Sequence, residues 1–105
     1  MTNDVRAHAR SRCQMSAFAE GPRGPVRGVC TNISLGGLFL EGTQQLPVKA
    51  MTTVTVEHPT LGKFSAQAEV MHHAFTPKGM GLKFMRLEPT QLAVLQKLIA
   101  STTSL

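Results

Sequence analysis

KFSAQAEVMHHAF, residues 63–75, alternates with a period of two. Phe64, Ala66, Ala68, Val70, His72 and Ala74 share one parity, while Ser65, Gln67, Glu69, Met71, His73 and Phe75 share the other. Successive side chains of an extended chain point to opposite faces, so the pattern predicts a half-buried strand with the Phe64–Ala74 set mainly inward. Outward from it, Gly and Pro cut the chain into pieces of strand length: GPRGP (21–25), LGG (35–37), HPTLG (58–62) and TPKG (76–79). Between these, MTTVTVEH (51–58) is rich in β-branched residues, and GMGLKFMRL (79–87) sets Met80, Leu82 and Phe84 on one face. Short strands at this spacing predict an all-β barrel or sandwich.

The end of the chain changes period. PTQLAVLQKLIA (89–100) opens with Pro89, a favourable first helical residue, and carries Lys97 in its last turns. Leu92, Leu95, Leu98 and Ile99 recur at three- and four-residue spacing and form one apolar stripe. One C-terminal helix over about 89–100 is expected, packing on the barrel and plugging one mouth, with residues 101–105 as a tail. No internal repeat, low-complexity tract or second domain is visible.

The chain has 105 residues, enough for one domain with a single modest core. No apolar run approaches the roughly 20 residues that span a bilayer, so membrane insertion is not expected. MTNDVRAHARSR (1–12) has no apolar stretch after its charges and does not read as a secretory signal. Two cysteines, Cys13 and Cys30, are too few for a disulfide framework; reduced, buried thiols and a cytoplasmic protein are expected. His8, His58, His72, His73 and the cysteines show no C-x-x-C or H-x-x-x-H pairing, which argues against a metal site. Ser34 has no nucleophile elbow around it and no candidate base nearby, which argues against acyl chemistry. No catalytic residue and no cofactor are expected. The six methionines read as core filler.

The formal charge is +5, and its distribution is uneven. Five of the six arginines (Arg6, Arg10, Arg12, Arg23 and Arg27) fall in the first 27 residues, whereas all five lysines come later. Arginine differs from lysine in its planar fork, which grips phosphate or a guanine edge in two places and stacks on rings. Within RAHARSR (6–12), basic residues occupy every second position, so an extended arm would turn Arg6, His8, Arg10 and Arg12 to one side over about 20 Å. Residues 1–12 are expected to form an arm, mobile when nothing is bound, because few large apolar groups anchor it. Residues 13–100 would then form the barrel and helix. Arg23 and Arg27 flank a turn and read as surface residues.

TNISLGGLFLEG (31–42) places Asn32, Ser34, Gly36 and Gly37 between two apolar stretches. By itself it reads as a capped β-turn. Asn and Ser bond nearby backbone, and glycine permits positive φ or close approach of another group.

Taken together, R-x-x-x-R at Arg6 and Arg10, followed by N-x-S-x-x-G at Asn32, Ser34 and Gly37, resembles the PilZ domain family over nearly the whole chain. The arginine–histidine run with His8 and the GMGLKFMRLEPTQLAVLQKLI segment (79–99) fit the same likeness. The resemblance implies a six-stranded antiparallel β-barrel with a C-terminal helix. It also implies a bacterial, non-enzymatic receptor for cyclic di-GMP, here a stand-alone domain that relays the signal to an unidentified effector protein. Carried over by position, Arg6 and Arg10 would hold phosphate and base, Asn32 and Ser34 would hydrogen-bond the ligand, and Gly37 would allow the turn or close approach. His8, Arg12 and Gly36 are accessory candidates. Val5 stands where many family members have a further arginine, which leans toward one ligand rather than a stacked pair. Asn32 replaces an aspartate that many members carry, so a charge facing the guanine N–H donors is missing. Two alternatives stand beside this reading: a ligand-independent adaptor of a pilus or flagellar assembly, and a small basic nucleic-acid-binding barrel. With five Phe and no Trp or Tyr, the chain is poorly equipped to stack bases, which disfavours nucleic acid.

Overall fold

The structure, a computed structural model, describes residues 10–103. Six strands form one closed antiparallel barrel: β1 (Ser11–Gly21), β2 (Gly24–Ile33), β3 (Gly37–Glu41), β4 (Met51–His58), β5 (Gly62–Phe75) and β6 (Lys78–Phe84). Their order around the barrel is β1-β2-β3-β6-β5-β4, with β4 closing onto β1. Closure leaves no free sheet edge. One helix, α1 (Pro89–Thr103), follows and runs a few residues beyond the end expected near residue 100. Strand β1 already begins at Ser11, so Arg12 belongs to the barrel wall rather than to an arm.

Inward-facing residues fill the barrel as the alternation requires. Phe64, Ala66, Ala68 and Val70 of β5 are buried, as are Met80, Leu82 and Phe84 of β6. The Phe64 and Phe84 rings meet edge to face with centroids 5.5 Å apart, a favoured aromatic geometry. Leu95 and Leu98 of α1 are fully buried in the same core, and the helix packs against β1 and β5. Its start is capped by the Gln91 side chain, whose Oε1 accepts the Glu88 N–H at 2.7 Å while its Nε2 donates to the Ser65 carbonyl at 2.8 Å.

The period-two reading of β5 fails at one point. The ladder with β6 shifts register between Val70 and His72, so Met71 is an extra residue and the phase inverts after it. His73 then pairs with buried Met80 and bonds the Leu46 carbonyl at 2.7 Å. His72 pairs with Gly81 and lies exposed on the outer surface, its ring stacked on Phe39 at 6.4 Å. His72 and Ala74, expected inward, therefore face out. A strict alternation cannot reveal a bulge, because the extra residue leaves the residue types unchanged.

Candidate functional site

The turn between β2 and β3 is tied down mainly by its own residues. Ser34 N–H donates to the Gly37 carbonyl at 2.8 Å, and Gly36 N–H donates to Ser34 Oγ at 3.1 Å. Ser34 is only 5% exposed, and its hydroxyl donates to the Gly37 carbonyl at 3.5 Å. Neither Gly36 nor Gly37 has positive φ; among the described residues the glycines that do are Gly24 and Gly62. Gly37 is required for a different reason. A Cβ there would run into the Leu82 carbonyl of β6, so the missing side chain lets β3 and β6 close the ladder. The close neighbour of Gly37 is thus a strand of the protein itself.

Asn32 sits two residues before this turn and is half-buried. It pairs across the ladder with Arg12 of β1 on one side and Phe39 of β3 on the other. Its Oδ1 accepts a 2.6 Å hydrogen bond from Arg10 Nη1, linking residues 22 positions apart. The barrel therefore gathers Arg10, Arg12 and Asn32 on one outer patch, and the two arginines are exposed. Ser34 and Gly37 lie just beyond it, buried in the turn. Arg6 and His8 lie outside the described residues.

Two register shifts border the patch. The β1–β2 ladder slips between Arg12 and Met15, and the β2–β3 ladder slips between Cys30 and Asn32. Bulges bend and twist a strand locally and re-aim its side chains. Here they accompany a groove of about 470 Å³ lined by Arg12, Cys13, Gln14, Thr31, Asn32, Glu41 and Pro77. Sequence reasoning missed Gln14, Thr31, Glu41 and Pro77. Their types carry no signal alone, and Pro77 arrives from the β5–β6 turn, far along the chain. Arg23 and Arg27 lie toward the opposite end of the β1–β2 ladder, where Gly21 pairs with Gly24 and Arg27 with Phe18. Arg27 stacks over the Phe18 ring at 5.1 Å.

Among the described residues, no group of three His, Cys, Asp or Glu is placed to hold a metal ion. Nor is any described helix long and apolar enough to cross a membrane.

The family model described as PilZ domain matches residues 4–101. Among solved structures, the PilZ domain of YcgR from Escherichia coli with c-di-GMP superposes with a TM-score of 0.80 at 18% identity, covering 94% of this chain and 92% of that one. The Bacillus subtilis inhibitor of motility MotI/DgrA gives a TM-score of 0.78 at 14% identity. The Klebsiella MrkH–c-di-GMP complex gives 0.74 at 15%. This chain spans about half the length of each of the last two, 51% and 52%, while 94% of it is covered in both. No curated protein matches the sequence. At these identities the superpositions establish the fold, and the family match covers nearly all of the chain: the protein belongs to the PilZ domain family.

Proposed function

We propose that the chain is a non-enzymatic receptor for cyclic di-GMP and relays its presence to a partner protein. The observation that carries this reading is the Arg10 Nη1–Asn32 Oδ1 hydrogen bond at 2.6 Å, which joins the two motif halves at the rim of a polar groove. A compact dianion with two guanines needs cationic forks and edge-recognising amides side by side, and this patch has both.

The division of labour follows from exposure. Arg10 and Arg12 are free to turn toward phosphate or guanine. The Arg10–Asn32 bond lies in solvent, where such contacts contribute little net stability, so a ligand oxygen can displace it at small cost. Asn32 then offers its amide to a base edge, and Arg6 adds a third cation. Ser34 holds the turn that aims Asn32, with one lone pair left for a ligand, and Gly37 acts through the β3–β6 closure. Glu41, on the same groove, supplies the carboxylate acceptor that Asn32 lacks for guanine N–H donors. Any backbone ahead of β1 that the ligand orders would cost about 1–2 kcal/mol per residue fixed. Part of the binding energy thus goes into presenting a new surface to the partner.

One calorimetric titration tests the reading, with cyclic di-GMP compared against GTP and cyclic GMP. Saturable binding of cyclic di-GMP with the controls at least tenfold weaker is expected; equal binding of all three, or none, would end it.

A further inference from the structure

Cys13 lines the groove with buried Cys30 against it, a pair that nucleotide recognition leaves unused. Cys13 and Cys30 are 17 residues apart in sequence, yet their Sγ atoms lie 3.6 Å apart as free thiols. Cys13 falls in the β1 bulge, at the step where the ladder slips between Arg12 and Met15. Its Sγ also reaches the Cys30 carbonyl at 3.3 Å. Cys30 is fully buried and its Sγ reaches the Asn32 carbonyl at 3.4 Å. The thiol pair is thus bonded to the backbone of a candidate ligand residue on one strand and is the chain neighbour of Arg12 on the other.

Access and reactivity separate the two. Cys13 is half-buried and lines both the 470 Å³ groove and a second one of about 240 Å³ beside His58, Pro59 and Thr102. Cys13 is thus the member of the pair that borders solvent. The hydrogen bond from Cys30 holds the Cys13 thiol below its ordinary pKa against the opposing effect of burial. The same bond, burial and the charge of a Cys13 thiolate push Cys30 up. Of the two, half-buried Cys13 is the one placed to meet an oxidant, and buried Cys30, 3.6 Å away, is the one placed to resolve it.

We propose that Cys13 and Cys30 are an oxidisable dithiol, and that their disulfide weakens ligand binding at the adjoining Arg12–Asn32 surface; this second half rests on the receptor reading above. The oxidant is hydrogen peroxide or a related hydroperoxide. The Cys13 thiolate attacks one peroxide oxygen, the O–O bond breaks, and Cys13 sulfenic acid and hydroxide form. The Cys30 sulfur then displaces the sulfenic oxygen, the S–S bond forms, and the Cys30 proton leaves with that oxygen as water. The hydroxide takes up the proton that Cys13 released on ionising, so two thiols lose two electrons in total and one hydrogen peroxide becomes two waters, or an organic hydroperoxide an alcohol and one water. A disulfide needs its sulfurs about 2.05 Å apart, so the pair must close by roughly 1.5 Å, a movement the bulged backbone of β1 is placed to absorb. Once bonded, Cys30 has no S–H left to share between Cys13 Sγ and the Asn32 carbonyl, and the strand carrying Arg12 is drawn inward.

The test treats the reduced full-length protein with hydrogen peroxide, measures its intact mass, reverses the reaction with dithiothreitol, and titrates both forms with cyclic di-GMP. The expected product is a monomer lighter by two hydrogens, restored by dithiothreitol and absent in Cys13→Ser and in Cys30→Ala. Its affinity should be about three- to tenfold weaker, as for one lost or strained hydrogen bond. The wild-type mass measurement stands even if a cysteine variant misfolds. Sulfinic acid at Cys13 with Cys30 untouched, or no mass change, overturns the dithiol while leaving the receptor reading intact. A disulfide that forms without altering affinity overturns the coupling. If the disulfide forms and neither form binds cyclic di-GMP, the receptor reading fails and takes the coupling with it, while the dithiol stands.

Discussion

The two ends of the β1–β2 ladder use the same residue type differently. Near one end, Arg27 faces Phe18 in regular register and stacks on its ring at 5.1 Å. At the other, Arg12 faces Asn32 beside two register shifts, Arg10 bonds the same asparagine, and a groove opens. An arginine whose cation is satisfied by a ring on a smooth ladder is part of the wall. One placed where the ladder breaks, beside the half-buried Asn32 amide at the rim of a groove, is the one the receptor reading assigns to a ligand. The irregularity of the backbone, more than the abundance of arginine, distinguishes the two ends.

The sharpest way to break this contrast is Arg10→Ala. Loss of a forked arginine contact is worth roughly 1–3 kcal/mol, so cyclic di-GMP affinity should fall about ten- to a hundredfold in calorimetry with little change in melting temperature. Undiminished affinity would remove Arg10 from the site.

Gly37→Ala comes next and tests what the turn glycine is for. The new Cβ meets the Leu82 carbonyl, so denaturant unfolding should show a loss of about 1–3 kcal/mol in the absence of any ligand. A variant of unchanged stability that no longer bound ligand would return Gly37 to a direct contact role.

Glu41→Gln probes the acceptor on the groove. It keeps an oxygen and loses the charge, so a few-fold loss of affinity is expected. A gain in affinity would mean that the carboxylate repels phosphate instead of receiving guanine N–H groups.

The smallest effect belongs to Arg27→Ala. An exposed cation–π contact contributes about 0.5–1 kcal/mol, so a slight loss of stability and unchanged affinity are expected. If Arg27→Ala weakened binding as much as Arg10→Ala, the two ends would be equivalent and net charge alone would explain any affinity.

Much of the barrel was legible from residue order. Alternation over Phe64–Val70 and the shared face of Met80, Leu82 and Phe84 reported the buried residues correctly, because a regular strand has a fixed period and each position depends only on its neighbours. The stripe through Leu95 and Leu98 did the same for α1. The candidate site was legible only in part. Asn32 and Arg10 could be paired through a family likeness, but nothing local says that Ser34 turns inward or that Gly37 serves β6. Both depend on which strand closes against β3, and β6 lies some forty residues downstream. The inverted phase after Met71 was hidden for the same reason, since a bulge is a relation between two strands.

The sequence by itself determined that the chain would fold as strands followed by one packed helix, because periodicity and turn chemistry act over a few residues. It also determined that cationic forks would precede an Asn/Ser/Gly turn. Only the tertiary structure decided which groups share one place: Arg10 and Arg12 with Asn32, Glu41 at the same groove, and Cys13 against Cys30. Those neighbours are set by barrel closure and by bulges, whose energies belong to paired strands and to no single segment of the chain.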